Sequence, residues 1–239
     1  MEIMRDTGRF AISGRRRVHE IDAICTDLVI AADHDASPAD IRRMLLRDGV
    51  LDAIFSSGKC IEHVLGFVQL RVGTYGGRLV RLHLWGGEEP NADERRDVHS
   101  HMWSFKSYVL NGALENSTYR VALSAQKPYS MVPDSALYEV RYLPSGTQRF
   151  RIQENVECEQ EQAERIGRDA SYDMDGHQFH SSQPTEPGTV SLLITQRSYG
   201  QMPLVVHAAT PKPVEDYPFI YSTASAKRRY LQWARRLIY

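Results

Sequence analysis

The chain has 239 residues, of which 42% are hydrophobic and 25% charged, with a formal net charge of −1. A chain of that length buries a full core without disulfides or a structural metal, so a metal here is expected to be functional. The charge balance excludes a whole-molecule pull toward nucleic acid or anionic membrane.

Cys25, Cys60 and Cys158 are odd in number and widely spaced. They form neither a disulfide framework nor a C-x-x-C metal pattern, which fits a reducing, cytoplasmic setting. Arg15-Arg16-Arg17 is followed by mixed, acid-containing sequence, so no secretory signal is expected. No apolar run reaches the roughly 18 residues of a membrane span.

The first third reads as helical. Val18, Ile21, Cys25, Leu28 and Val29 recur at helical spacing. Ser37-Pro38-Ala39-Asp40 is a helix start, with Ser as N-cap and Pro at the first helical position. Ile41, Met44 and Leu45, then Leu51, Ile54 and Phe55, form a buried face broken at Gly49. From about residue 63 the pattern becomes that of strands, with Val80, Leu82 and Leu84 alternating with Arg81, His83 and Trp85. Further strands are predicted over 98–110, 113–123, 136–142, 148–152, 172–182 and 188–196. Gly76-Gly77, Asn111-Gly112 and Pro144-Ser145-Gly146 mark turns, and the Asn-Gly is a hairpin signal. Residues 154–170 are polar, without a clear period, and read as an inserted loop or short helix. The tail from Ser222 returns to helix. Its narrow apolar stripe of Leu231, Ala234, Leu237 and Ile238 is surrounded by Lys227, Arg228, Arg229, Arg235 and Arg236. It reads as an amphipathic helix packed on the rest of the protein or on a partner subunit, in preference to a nucleic-acid surface.

Many short strands with Gly and Pro turns predict a mainly β sandwich or barrel. The expected division is a helical extension over 1–62, a barrel over 63–210 and a basic helix over 211–239.

The chemistry concentrates on His99-Ser100-His101. Residues two apart on a strand point to one side, so both imidazoles can face one point, and imidazole suits zinc, iron, copper or nickel. His180 is the preferred third ligand and His177 the runner-up, because residues three apart on a strand face opposite ways. Glu115 is a candidate fourth ligand. Lys106, if inward, places a cation near the metal for an anionic substrate. Tyr108 and Tyr172 are candidate hydrogen-bond donors to it. Trp103 and Phe105 read as wall and core, and His83 as a packed residue.

The H-x-H pair, the turn at Gly112 and a downstream His180 ahead of Pro184 and Glu186-Pro187-Gly188 together resemble the cupin superfamily. The resemblance implies a double-stranded β-helix, or jelly-roll barrel, with the N-terminal helices and the C-terminal helix outside it. Within that superfamily, Leu82-His83-Leu84-Trp85-Gly86 and the run from Phe105 to Leu114 look most like cysteine dioxygenase and related thiol dioxygenases. That likeness implies ferrous iron held by His99, His101 and His180, with Lys106 or Phe105 where a cupin carboxylate usually stands. Two features depart from those enzymes. Ser191, Leu193 and Thr195 replace their Ser-x-His-x-Tyr series, and Val68 or Gln69 stands where their substrate-binding Arg is expected. Both departures lead away from cysteine as substrate.

The leading expectation is therefore a mononuclear non-haem iron(II) oxygenase acting on a small, anionic molecule, with Lys106, Tyr108 and Arg197 in the substrate site. Zinc, nickel or manganese would instead imply an isomerase or hydrolase. A non-catalytic cupin sensor or binding protein is the reading from a different class. The resemblance also implies a homodimer.

Overall fold

The computed structural model describes residues 8–63, 65–86, 97–123, 135–198, 200–207 and 213–239, with the side chains of 8–19, 123 and 197 outside the description. In chain order the elements are α1 (Gly8–Asp33), α2 (Pro38–Leu45), α3 (Val50–Ser57), β1 (Lys59–Glu62), β2 (Phe67–Tyr75), β3 (Arg78–Trp85), β4 (Val98–His99), β5 (Trp103–Asn111), β6 (Ala113–Leu123), β7 (Ala136–Leu143), β8 (Gly146–Glu154), β9 (Val156–Gly167), β10 (Ser171–Met174), β11 (Phe179–Pro184), β12 (Val190–Ser198), β13 (Leu204–His207), β14 (Val214–Pro218), β15 (Ile220–Tyr221) and α4 (Ala224–Ile238).

The start of α2 follows its sequence. The Asp40 N–H donates to Ser37 Oγ at 3.2 Å, and the Asp40 carboxylate accepts the Ser37 N–H at 3.1 Å. This reciprocal cap satisfies donors that a helix start otherwise leaves open, and is worth about 1 kcal/mol. Gly49, at φ +79°, takes the left-handed conformation that separates α2 from α3.

The strands form two antiparallel sheets, the first in the order β10-β5-β12-β3-β2-β1-β15 and the second β14-β8-β7-β13-β4-β11-β6-β9. The chain is thus mainly β, with helices at both ends, consistent with a cupin-type β-sandwich. Strand alternation gives the first sheet two different faces. Leu70, Val80, Leu82, Leu84, Leu192 and Ile194 join Leu28, Ile41, Leu45 and Ile54 of the helices in one buried core, which also takes in Ala234 and Ile238 of α4. Arg81, His83, Trp85, Phe105, Ser107 and Ser191, at the intervening positions, face a cavity shared with the second sheet. α4 is fastened at its edges by Lys227 Nζ donating to the Gly58 carbonyl at 2.8 Å and by an Arg235–Asp52 ion pair.

Four expectations need correction. Residues 156–167 are a strand, not a loop or short helix, because β9 pairs with β6 from Ala113↔Gly167 to Leu123↔Val156. The 98–110 and 172–182 strands are each broken in two. Gly112, at φ +70°, makes the expected turn but no hairpin: β5 and β6 belong to different sheets, so the turn carries the chain across the sandwich. The expected divisions also cut through sheets. β1 lies before residue 63 yet pairs with β2, and β14 and β15 precede α4 within the tail.

Candidate metal centre

Two points where the chain changes sheet build the site. β4 belongs to the second sheet and β5 to the first, so residues 100–102 form one corner; residues 175–178, between β10 and β11, form the return. The corners are tied by the His101 N–H, which donates to the Gly176 carbonyl at 2.7 Å. On the second sheet His99 lies directly opposite His180 in the β4–β11 ladder, and directly opposed residues share a face. His101 follows two residues later and faces the same centre. One ring nitrogen from each of His99, His101 and His180 lies within 4.8 Å of the others, the spacing of ligands around a single ion.

Backbone carbonyls set the ring orientations. His99 Nδ1 is 2.9 Å from the Asp97 carbonyl, and His180 Nδ1 is 3.3 Å from that of Gln178. A carbonyl only accepts, so each Nδ1 carries the proton and each Nε2 lone pair is left for the centre. His101 is fixed by stacking on Trp103, with centroids 4.3 Å apart, and by the edge of Phe105 at 5.3 Å.

The electrostatics suit a cation. Burial lowers the pKa of all three imidazoles, His180 to about 3 and His101 well below its ordinary value, with repulsion from neighbouring imidazoles adding to it at His101 and His180. They are neutral at pH 7, so a metal could bind them without first displacing protons. Asp97, 5% exposed, braces the second-sheet side. It accepts from Arg149 Nη2 at 2.7 Å and lies 2.9 Å from His207 Nδ1. Burial pushes the Asp97 carboxyl up, but its His207 hydrogen bond and the Arg149 charge outweigh that and leave its pKa lowered.

The centre opens on a cavity of about 370 Å³, the size of a small-molecule site. Two further imidazoles, His63 and His83, line it, and burial drives the first to about 3 and the second well below its ordinary value.

The other candidates fall elsewhere. Lys106 and Tyr108 are corrected. Phe105 and Ser107 take the inward positions of β5, so 106 and 108 point to the helix side. There Lys106 Nζ bonds Asp35 at 3.1 Å and lies over the Tyr108 ring. Tyr108 is 0% exposed in the helix-side core, and burial raises its pKa to about 12. Glu115 lies opposite Gln183, which alternates with the inward His180 and Ser182, so it is on the outer face, where it accepts from Gln183 Nε2 at 2.6 Å. His177 is exposed in the turn after β10. The Arg197 side chain lies outside the described residues. Tyr172 lines the cavity, and Trp103 and Phe105 are buried together as wall and core.

Sequence reasoning missed Arg149, Asp97, His63 and Tyr142 as cavity residues. Arg149 lies in a strand otherwise rich in polar residues and carries no signal of burial. Arg81 had one, since it shares its strand face with His83 and Trp85.

No family model matches the chain, and no curated relative matches it. Among solved structures it is similar to hydroxypropylphosphonic acid epoxidase from S. wedmorenis, at 10% identity and a TM-score of 0.36. That alignment covers 59% of this chain and 56% of the epoxidase chain, so this chain spans little more than half of its neighbour's length. A likeness that distant leaves the case for a divalent-metal site to rest on this chain's own two sheets and on its three converging imidazoles.

Proposed function

We propose that the protein is a mononuclear iron(II) enzyme, an oxygenase acting on a small molecule held in the cavity between its sheets. The observation that carries this reading is the group of three neutral imidazoles lining the cavity, with no carboxylate in the cluster among the described residues. Three neutral ligands leave a divalent ion its full charge and leave coordination positions open toward the cavity. Bound there, the metal would supply Lewis acidity and, if it is iron, one-electron chemistry toward oxygen. The chain supplies the rest. Asp97 and Gln178 hold two rings in the ligating tautomer, Trp103 and Phe105 keep water from the flank of His101, and the cavity walls orient the substrate.

The test is elemental analysis of tag-free protein, as purified and after anaerobic reconstitution with ferrous ion. It compares wild type with His99→Ala, His101→Ala and His180→Ala. Near-stoichiometric iron in wild type, lost in all three variants, is expected, with oxygen uptake by the loaded protein once substrate is present. Zinc or nickel in the same pattern would replace the oxygenase with hydrolase or isomerase chemistry. A folded wild type that takes up no metal would overturn the enzyme reading and leave a binding protein.

A further inference from the structure

The first sheet turns a second group of polar side chains into the cavity, apart from the three histidines. Arg81 and His83 are two residues apart on β3 and share its cavity face, with Gln69 directly opposite His83 on β2. The His83 imidazole is 7% exposed, and its Nε2 is buried with no hydrogen-bond partner. Arg81 Nε is buried and unpartnered too. The one hydrogen bond of its guanidinium among the described residues is a long contact, from Nη1 to Gln69 Oε1 at 3.5 Å. No carboxylate among the described residues pairs with it. Arg149, the buried guanidinium of the cavity, is neutralised by Asp97. Among the described residues, the cavity therefore holds a partly buried positive charge without a counter-ion beside an unsatisfied imidazole nitrogen. Proteins rarely keep such a pair unless a ligand completes it.

We propose that Arg81, with His83 and Gln69, anchors the carboxylate of a small organic monoanion whose other end reaches the three-histidine centre. The assignment names the substrate class of the function proposed above and rests on that reading. Three observations narrow the chemistry. A guanidinium presents parallel N–H donors that match the two oxygens of a carboxylate, and a single uncompensated charge matches a monoanion better than a phosphate dianion. Aromatic rings line the cavity beyond His83: Phe67 lies 4.4 Å from Trp85 and 4.7 Å from His83, between ring centroids. The body of the ligand is accordingly apolar. The Trp103 indole touches both ends of the path, with the Arg81 guanidinium 4.9 Å from its centroid and the His101 ring stacked at 4.3 Å. The carboxylate and the metal end of the ligand are thus about an aromatic ring apart, which calls for a spacer of several atoms.

The experiment is calorimetric titration of chelator-stripped protein with acetate, butyrate, hexanoate and 3-phenylpropionate, each against its primary amide, and with inorganic phosphate. The longer carboxylates are expected to bind saturably and acetate weakly, with every amide at least tenfold weaker than its acid. Arg81→Gln should lose at least tenfold in affinity, and Lys106→Gln, on the helix face, should lose nothing. Arg81→Met is the control for folding: removing a partly buried charge without a counter-ion should leave Tm unchanged or raise it. Amides that bind as well as acids, full affinity in Arg81→Gln, phosphate bound in preference to every carboxylate, no binding by wild type, or a marked fall in Tm for Arg81→Met would each overturn the assignment. The same titrations on His99→Ala separate the two readings. Retained carboxylate binding in a variant without metal leaves the anchor standing whatever becomes of the metal.

Discussion

Asp97 uses three oxygen atoms at once: its carbonyl accepts from His99, and its two carboxylate oxygens meet Arg149 and His207. Removing the charge but not the shape, as in Asp97→Asn, leaves Arg149, 6% exposed, without its counter-ion. The expected loss is about 3 kcal/mol, read by urea unfolding. A loss no larger than that of an exposed Asp→Asn control would show that the pair does not brace the site. Titration of the buried histidines makes a second prediction. His63 and His180 have pKa values of about 3 in the folded state, against about 6.5 when unfolded. As pH falls below that unfolded value, the unfolded chain takes up protons that the fold refuses. Stability is therefore whole above about pH 6.5 and is lost progressively toward pH 3, on the order of 1 kcal/mol per pH unit for each such ring. His63→Phe keeps the aromatic stack on Phe67 and removes one of these groups, so the slope of unfolding free energy between pH 6 and pH 4 should flatten. An unchanged slope would mean that His63 titrates alike in both states.

Among the elements, the two corners depend on a residue with no side chain. A Cβ on Gly176 would lie 2.9 Å from the Trp103 carbonyl oxygen and 3.0 Å from that of His101, and both are backbone atoms that can yield only by separating the corners. Gly176→Ala should cost about 1–3 kcal/mol and weaken metal binding at least tenfold, measured by competition with a chromogenic chelator; normal affinity would mean that the corners tolerate separation. Elements whose rules are local were legible in the sequence. Ser37-Pro38 and Asp40 announced α2, and Gly76-Gly77 announced the β2–β3 hairpin. Where the partner decides, the sequence was silent. β9 exposes residues 157–165 and so lacks an apolar period, and its register with β6 is what makes it a strand. Asn111-Gly112 specifies a turn but not which sheets it joins. The misplacing of Lys106 and Tyr108 has a similar cause. Both faces of β5 are buried, so alternation was visible but its phase was not. His99 and His101 were readable because their spacing holds in any extended segment. His180 was read from its place ahead of Pro184 and Glu186-Pro187-Gly188, and the folded sheet supplies the register that sets it opposite His99.

At the level of the molecule, the first sheet divides labour between its faces, one packed on helices and the other open to chemistry. Leu82, fully buried on the helix side, tests the independence of the two. Leu82→Ala should cost about 2–5 kcal/mol yet leave metal affinity at 25 °C within about twofold, and a parallel loss of both would show the faces to be coupled. Among the described residues no helix is long and apolar enough to cross a membrane.

The order of the ligands along the chain has a consequence for biosynthesis. His99 and His101 emerge together, whereas His180 arrives only after β5 to β10 have been made, and it meets them only when β11 pairs with β4. Before that pairing, His99 and His101 by themselves offer an ion only a two-nitrogen chelate. The complete trio exists only in the finished sandwich, so a metal held by all three histidines would enter a folded protein rather than the growing polypeptide.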